Sequence, residues 1–328
     1  MEFVRNNNLI DEIVCVDGIG VSGKGMMSNI ISCYERVEKQ NIQPFFEDLP
    51  RMYSLGKLSK DAAIVLLRTM GDTIAYNTEI GRDVNFRNSD GTGVKKAGNY
   101  RRYYKRLKMK DGDEAVERMR KNHPILSILT HDGIRHNEIL FEAFPKLKII
   151  YMLRNPIDLV YAWMWGDTQK FAGNRVGDWG NRLGKDPRDF QYMIKYKDKI
   201  VPYSCYGYEE DYIAATPLEK VVLLINCHFE LNIDKYKILP QHIKERILMI
   251  EFDEFVKNPY PFCDLLEEFL CVKRTRDLNR ILKREHCPRI INDDVREKIE
   301  YLHNNLSSKY SNLIDKLYIE YKNKFWEN

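Results

Sequence analysis

Three short stretches carry residue types that can act on a phosphorylated ligand. Gly18-x-x-x-x-Gly23-Lys24, within VDGIGVSGKGMM, follows an apolar strand-like run and precedes a helix-like one. A loop of this kind wraps an anion in backbone N–H groups and a lysine ammonium. Gly20, Val21, Ser22, Gly23, Lys24, Gly25 and Met26 are therefore the candidate anion cradle. In a Mg²⁺-dependent loop the position after the lysine is Ser or Thr, whose hydroxyl holds the metal, and here it is Gly25. His131 ends the run ILTH, and an unperturbed imidazole can take a hydroxyl proton at neutral pH. Arg154 closes LKIIYMLR, where its planar fork suits a phosphate.

These residues need a scaffold that brings strand ends together. Ile13–Asp17, Pro124–Thr130, Leu147–Leu153 and Arg246–Glu251 are continuous apolar runs, as expected of strands covered on both faces. Helical patterns cover Lys24–Gln40, Asp113–Lys121, Asn137–Phe144 and Leu218–Asn232. The tail adds Pro261–Leu270, Asp294–Leu306 and Lys309–Lys324. Asn155 and Pro156 form a helix start, with Asp158 in the first turn. The alternation predicts an α/β fold, three-layered and P-loop NTPase-like, with a central parallel sheet flanked by helices and a helical C-terminus. Ligands of such sheets bind beyond the carboxyl ends of the strands, which selects the loops after Asp17, Thr130 and Leu153.

Two segments fit the sheet poorly and read as long insertions, Asp83–Gly112 and Thr168–Ala215, within a single domain spanning 1–328. The first holds the basic, aromatic run Tyr100–Lys110, which reads as a solvated face or as a binder of an anionic acceptor such as a glycan. Net charge is +4, from 52 Lys+Arg against 48 Asp+Glu, too small to argue for nucleic acid. Seven scattered cysteines without a C-x-x-C pair point to reduced, mostly buried thiols rather than a metal site or disulfide framework. With no signal pattern and no apolar run of membrane-spanning length, the expected location is cytoplasmic.

KIIYMLRNPIDLVYAW resembles the segment of sulfotransferases dependent on 3′-phosphoadenosine 5′-phosphosulfate (PAPS) that binds the donor's 3′-phosphate. The Ser22-Gly23 core resembles that family's metal-free phosphosulfate loop. Arg246–Leu270 resembles its later strand, acidic turn, Asn-Pro and helix. The resemblance implies PAPS as donor, PAP as product and no metal, with Arg154 on the 3′-phosphate and Lys24 with the loop on the phosphosulfate. It also implies that His131, 23 positions before Arg154 (154 − 131), is the general base.

The chain departs from the family pattern at Ala162, where a Ser is common, and at Val21, where a cation usually precedes Ser-Gly. The family's lysine shortly before the histidine is also missing, and Leu129 and Ile128 stand there instead. The basic stretch Leu282–Arg289 is a weaker match to a further phosphate-binding loop. His136 reads as a helix-surface residue. Two alternatives stay open. One is a P-loop kinase using ATP and Mg²⁺, with Asp17, Glu47 or Asp48 as replacement ligands, and the other is a catalytically inactive nucleotide-binding protein.

Overall fold

The computed structural model describes residues 1–40, 43–90, 92–165 and 192–326. The chain divides into two compact units. Unit 1 comprises Met1–Gly18, Gly23–Met152 and Pro240–Ile290, and unit 2 comprises Ile19–Ser22, Leu153–Leu239 and Ile291–Asn328.

Unit 1 is built on a sheet of β1 (Glu12–Asp17), β2 (Ile125–Leu129), β3 (Lys148–Leu153) and β6 (Ile247–Glu251), in the order β2-β1-β3-β6. β1 pairs in parallel with both β2 and β3, and Cys15 stands opposite Ile128 on one side and Ile149 on the other. All three side chains are fully buried, as a central strand covered on both faces requires. The expected α/β class, the parallel sheet and all four expected strands are present, each strand within about a residue of its expected bounds.

The helices of unit 1 are α1 (Lys24–Ile31), α2 (Phe45–Ser54), α3 (Lys60–Glu79), α4 (Arg101–Arg106), α5 (Gly112–Asn122) and α6 (Asn137–Ala143). After the excursion into unit 2 come α10 (Gln241–Lys244), α11 (Phe252–Lys257), α12 (Pro259–Leu270) and α13 (Leu278–Arg284). The helix expected over Lys24–Gln40 stops at Ile31. Its continuation is claimed by long-range pairing: Tyr34 bridges Arg274, Val37 bridges Ile125, and the Glu38 N–H donates to the Ile125 carbonyl. Local helix propensity is weak against such contacts. α2 and α3 occupy a segment for which the pattern predicts no element. Pro50 lies inside α2 and interrupts the periodicity that would reveal it.

The first expected insertion is ordered around charge. Glu38, on the extended segment after α1, accepts both terminal nitrogens of Arg106 at 2.9 and 2.8 Å and the Tyr103 hydroxyl at 2.8 Å. Arg106 also pairs with Glu79 of α3 at 2.8 Å, and Glu79 reaches Arg118 of α5 at 2.9 Å. Two arginines of the basic run Tyr100–Lys110 thus turn inward and join α3, α4 and α5. Burial alone would raise the Glu38 carboxyl, but Arg102, Arg106 and their hydrogen bonds outweigh it and hold it down at about 2.

In unit 2, α7 (Pro156–Trp165) packs against α9 (Pro217–Lys237), α14 (Val295–Asn305) and α15 (Ser308–Lys322). α9 opens with a capping box: Glu219 accepts from the Thr216 N–H at 2.9 Å, and Thr216 accepts from the Glu219 N–H at 3.4 Å. Of the expected insertion at 168–215, the part up to 191 lies outside the described residues. The rest forms an antiparallel hairpin of β4 (Met193–Tyr196) and β5 (Lys199–Pro202), followed by α8 (Glu209–Ala214). Among the described residues no helix is long and apolar enough to cross a membrane. All the cysteines are free thiols, and Cys271 alone of them is exposed.

Replacing Glu38 with Ala would leave buried Arg102 without its carboxylate and Arg106 with Glu79 alone, and should cost about 3 kcal/mol in a urea melt, the low end of the range for breaking a buried pair. The sign with pH follows from a folded value below the ordinary one. The Glu38 contribution is fully present above about 4.5 and is lost as pH falls toward about 2. Melts of wild type and Glu38→Ala should therefore converge across that window.

Candidate functional site

β1 ends in Asp17, whose carboxylate is fully buried and ties two strand ends together. It accepts from the Thr130 hydroxyl at 3.0 Å and from the Ile134 N–H at 3.1 Å, both just beyond β2. A Cβ at Gly133 would stand 2.9 Å from an Asp17 oxygen, so only glycine admits this approach. Burial raises the Asp17 pKa, with Lys24 and backbone N–H groups pulling the other way.

The turn after Asp17 is shared between the units. Gly18 and the stretch from Gly23 on belong to unit 1, and Ile19–Ser22 to unit 2. Gly23 is the N-cap of α1 at φ 96, a left-handed backbone that L side chains resist. A Cβ there would also meet the Phe252 ring at 2.4 Å. The first turn of α1 holds no acidic residue, so its backbone N–H dipoles are left uncompensated by the helix itself. Lys24 is buried, and its ammonium donates to the Gly18 carbonyl. Burial lowers its pKa to about 8, opposed by Asp17, Glu47 and Asp132. Gly25 is exposed with open space around its Cα, and Met26 is half-buried with its sulfur 3.6 Å from that of Cys287.

Behind this helix start lies a charged chain within unit 1. His131 Nδ1 is 2.8 Å from Glu47 Oε1 of α2. Arg51, one helical turn on, donates to Glu47 Oε2 at 2.8 Å and forks onto Asp132 Oδ2 at 2.9 and 2.6 Å. Burial would raise the Glu47 carboxyl, but the His131 ring and Arg51 hold it below the ordinary carboxylate range. The His131 side chain keeps 38% of its exposure, whereas Glu47 keeps 15% and Asp132 5%. His136 is buried rather than on a helix surface, and desolvation lowers its pKa to about 4, which keeps it neutral.

Of the acidic residues weighed as metal ligands, Asp17 is committed to the strand ends and Glu47 to His131 and Arg51. Asp48 lies 3.7 Å from Arg51. Among the described residues no group of three or more His, Cys, Asp or Glu could hold a metal ion. In the basic stretch Leu282–Arg289, also in unit 1, Arg284 pairs with Glu285 at 2.7 Å and Arg289 stacks on the Phe252 ring.

In unit 2, Arg154 is buried and donates to the Val21 carbonyl at 2.7 Å. Asn155 caps α7 as expected: its side-chain oxygen accepts from the Ile157 N–H at 3.0 Å, and Pro156 opens the helix. Asp158 is engaged by Lys298 at 2.6 Å. The Trp163 indole N–H donates to the Gly20 carbonyl at 2.9 Å, and Ala162 is buried beside it in sequence. Ser22 is buried, and its hydroxyl has no hydrogen-bond partner among the described residues. In unit 1 the uncompensated start of α1 and the Lys24 ammonium are groups that suit an anion. Sequence alone singles out Lys24, His131 and Arg154 but not Arg51 or Asp132. Their only local signal is the Glu47/Arg51 spacing of one helical turn.

No family model and no curated protein matches the chain. Solved structures similar to it include a sulfotransferase domain from the curacin biosynthetic pathway, at 12% identity, covering 94% of this chain and 98% of that one with a TM-score of 0.47. A sulfotransferase domain from the Synechococcus PCC 7002 olefin synthase matches at 9% identity over 94% of this chain and all of that one (100%), TM-score 0.40. Sulfotransferase STF9 from Mycobacterium avium matches at 12% identity, covering 91% and 77% of the two chains, TM-score 0.39.

The two loop glycines should respond oppositely to substitution. Gly23→Ala should lower the melting temperature clearly, because the left-handed backbone costs about 1–2 kcal/mol before the Phe252 clash is added. Gly25→Ser should leave the melt within about 0.5 kcal/mol of wild type, as expected of an exposed position with free space. A thermal melt of both variants checks the contrast.

Proposed function

We propose that the chain is a sulfotransferase that moves a sulfuryl group from PAPS to a hydroxyl or amine of an acceptor, a glycan or small metabolite by class. The observation that supports this most is the placement of Lys24 and His131 in unit 1. They follow two neighbouring parallel strands, β1 and β2, whose ends are joined through Asp17. A phosphate-type cradle and a partly exposed imidazole at adjacent strand ends are what metal-free group transfer to a hydroxyl needs.

The donor supplies an electrophilic sulfuryl group on a phosphate leaving group. Lys24, the first-turn N–H groups of α1 and the loop residues Gly20–Met26 would hold that phosphosulfate, and Arg154 the 3′-phosphate that distinguishes PAPS from ATP. His131 takes the acceptor proton as the acceptor oxygen bonds to sulfur. The sulfur–oxygen bond to the phosphate breaks, and its electron pair leaves with the phosphate, where Lys24 offsets the growing charge. Positioning and electrostatics carry such a loose transfer. Gly25 then lacks a hydroxyl at no cost, since no metal needs one.

PAP should raise the melting temperature without Mg²⁺, and ATP with Mg²⁺ should not. The opposite result would favour a kinase. His131→Ala should lower turnover of PAPS by about 10²-fold or more, the usual scale of general-base catalysis, while the PAP response stays at the wild-type level. PAP affinity should weaken as pH climbs past about 8, where Lys24 loses its proton, and titration calorimetry across that range measures it.

A further inference from the structure

We infer that Glu47 is the positioning residue for His131, so that the base is a carboxylate–imidazole pair rather than a lone histidine. The inference rests on the sulfuryl-transfer reading for its role, and on geometry for its existence.

Glu47 is held ionised, by His131 and Arg51 against its own burial. An ionised carboxylate only accepts hydrogen bonds, so the 2.8 Å contact requires His131 Nδ1 to be the donor. In the neutral ring this leaves the lone pair on Nε2, the nitrogen that must receive a proton from an acceptor hydroxyl. Without a partner at Nδ1 a histidine favours the other tautomer, with the proton on Nε2 and the lone pair turned away from the substrate.

The carboxylate cannot rotate freely to another partner. Arg51 holds Glu47 Oε2 at 2.8 Å, and the same guanidinium grips Asp132 at 2.6 Å. Asp132 is the chain neighbour of His131. One arginine therefore holds both the carboxylate on α2 and the backbone segment that carries the imidazole. The charged groups facing the pair are Arg51, Asp48 and Asp132, with Lys24 and the neutral His136 beyond them. When the ring takes its second proton, Glu47 lies against the new positive charge and stabilises it, while the Nδ1 proton stays on the ring.

The test uses the full chain, with Glu47→Gln and Glu47→Ala beside wild type and His131→Ala to assign the ring signals. Long-range ¹H–¹⁵N spectra near pH 8 should find His131 in the Nδ1–H tautomer in wild type. Glu47→Gln, whose amide oxygen still accepts, should keep it, and Glu47→Ala should shift it toward Nε2–H. PAP release from PAPS, with 2-naphthol as acceptor or water in its place, should fall tenfold or more in Glu47→Ala and less in Glu47→Gln. PAP affinity should change far less than turnover in both, since Glu47 acts on Lys24 through charge alone. An Nε2–H ring in wild type, an unmoved tautomer in Glu47→Ala, or wild-type turnover in Glu47→Ala where His131→Ala is impaired would each overturn the proposal. If the tautomer responds as expected but His131→Ala keeps wild-type PAP release, the pair stands and the transfer reading is what fails.

Discussion

The carboxylate of Asp17 is the constraint on which the arrangement in unit 1 depends. It sits at the end of the central strand with no access to water, so each of its lone pairs must find a donor. Its donors include the Thr130 hydroxyl and the Ile134 N–H, on either side of His131, with the backbone of Gly133 and Gly18, and Lys24 stands close enough to shift its titration. One buried carboxyl thus ties the end of β1 to the loop after β2 that carries the imidazole. Gly133 belongs to the same constraint, because any side chain there would push the two loops apart.

The charges around Lys24 add a second property. Asp17, Glu47 and Asp132 all pull on its ammonium, and its hydrogen bond runs back to the loop carbonyl at Gly18. The cation is therefore internally compensated. An anion entering the loop must compete for it, which lowers non-specific affinity for any phosphate and leaves selectivity to the other donors.

Much of this architecture is legible in the sequence because it is local. Continuous apolar runs give the strands, and Arg154-Asn155-Pro156 gives a helix start whose cap forms as its residues dictate. What cannot be read is what depends on distant partners. Glu47 and His131 are 84 positions apart, and Arg51 and Asp132 are 81 apart, so the sequence offers Glu47 only as a possible metal ligand. The overrun of α1 has the same origin, since Tyr34 and Val37 leave the helix for partners far along the chain. The basic run Tyr100–Lys110 looks solvated for the reason that charge runs usually are. Glu38 and Glu79 reverse that for Arg102 and Arg106 by supplying buried countercharge.

In unit 2 the bond from the Trp163 indole to the Gly20 carbonyl has an optical consequence. The emission of an indole depends on what its N–H touches, and here it touches the backbone of the glycine-rich turn itself. The turn carries a native fluorophore at one of its own carbonyls, so its conformation can be followed by light without a label. Of the four tryptophans of the chain, Trp163 is buried and Trp165 is exposed two residues later. The buried indole therefore reports on the turn from a setting unlike that of its exposed neighbour.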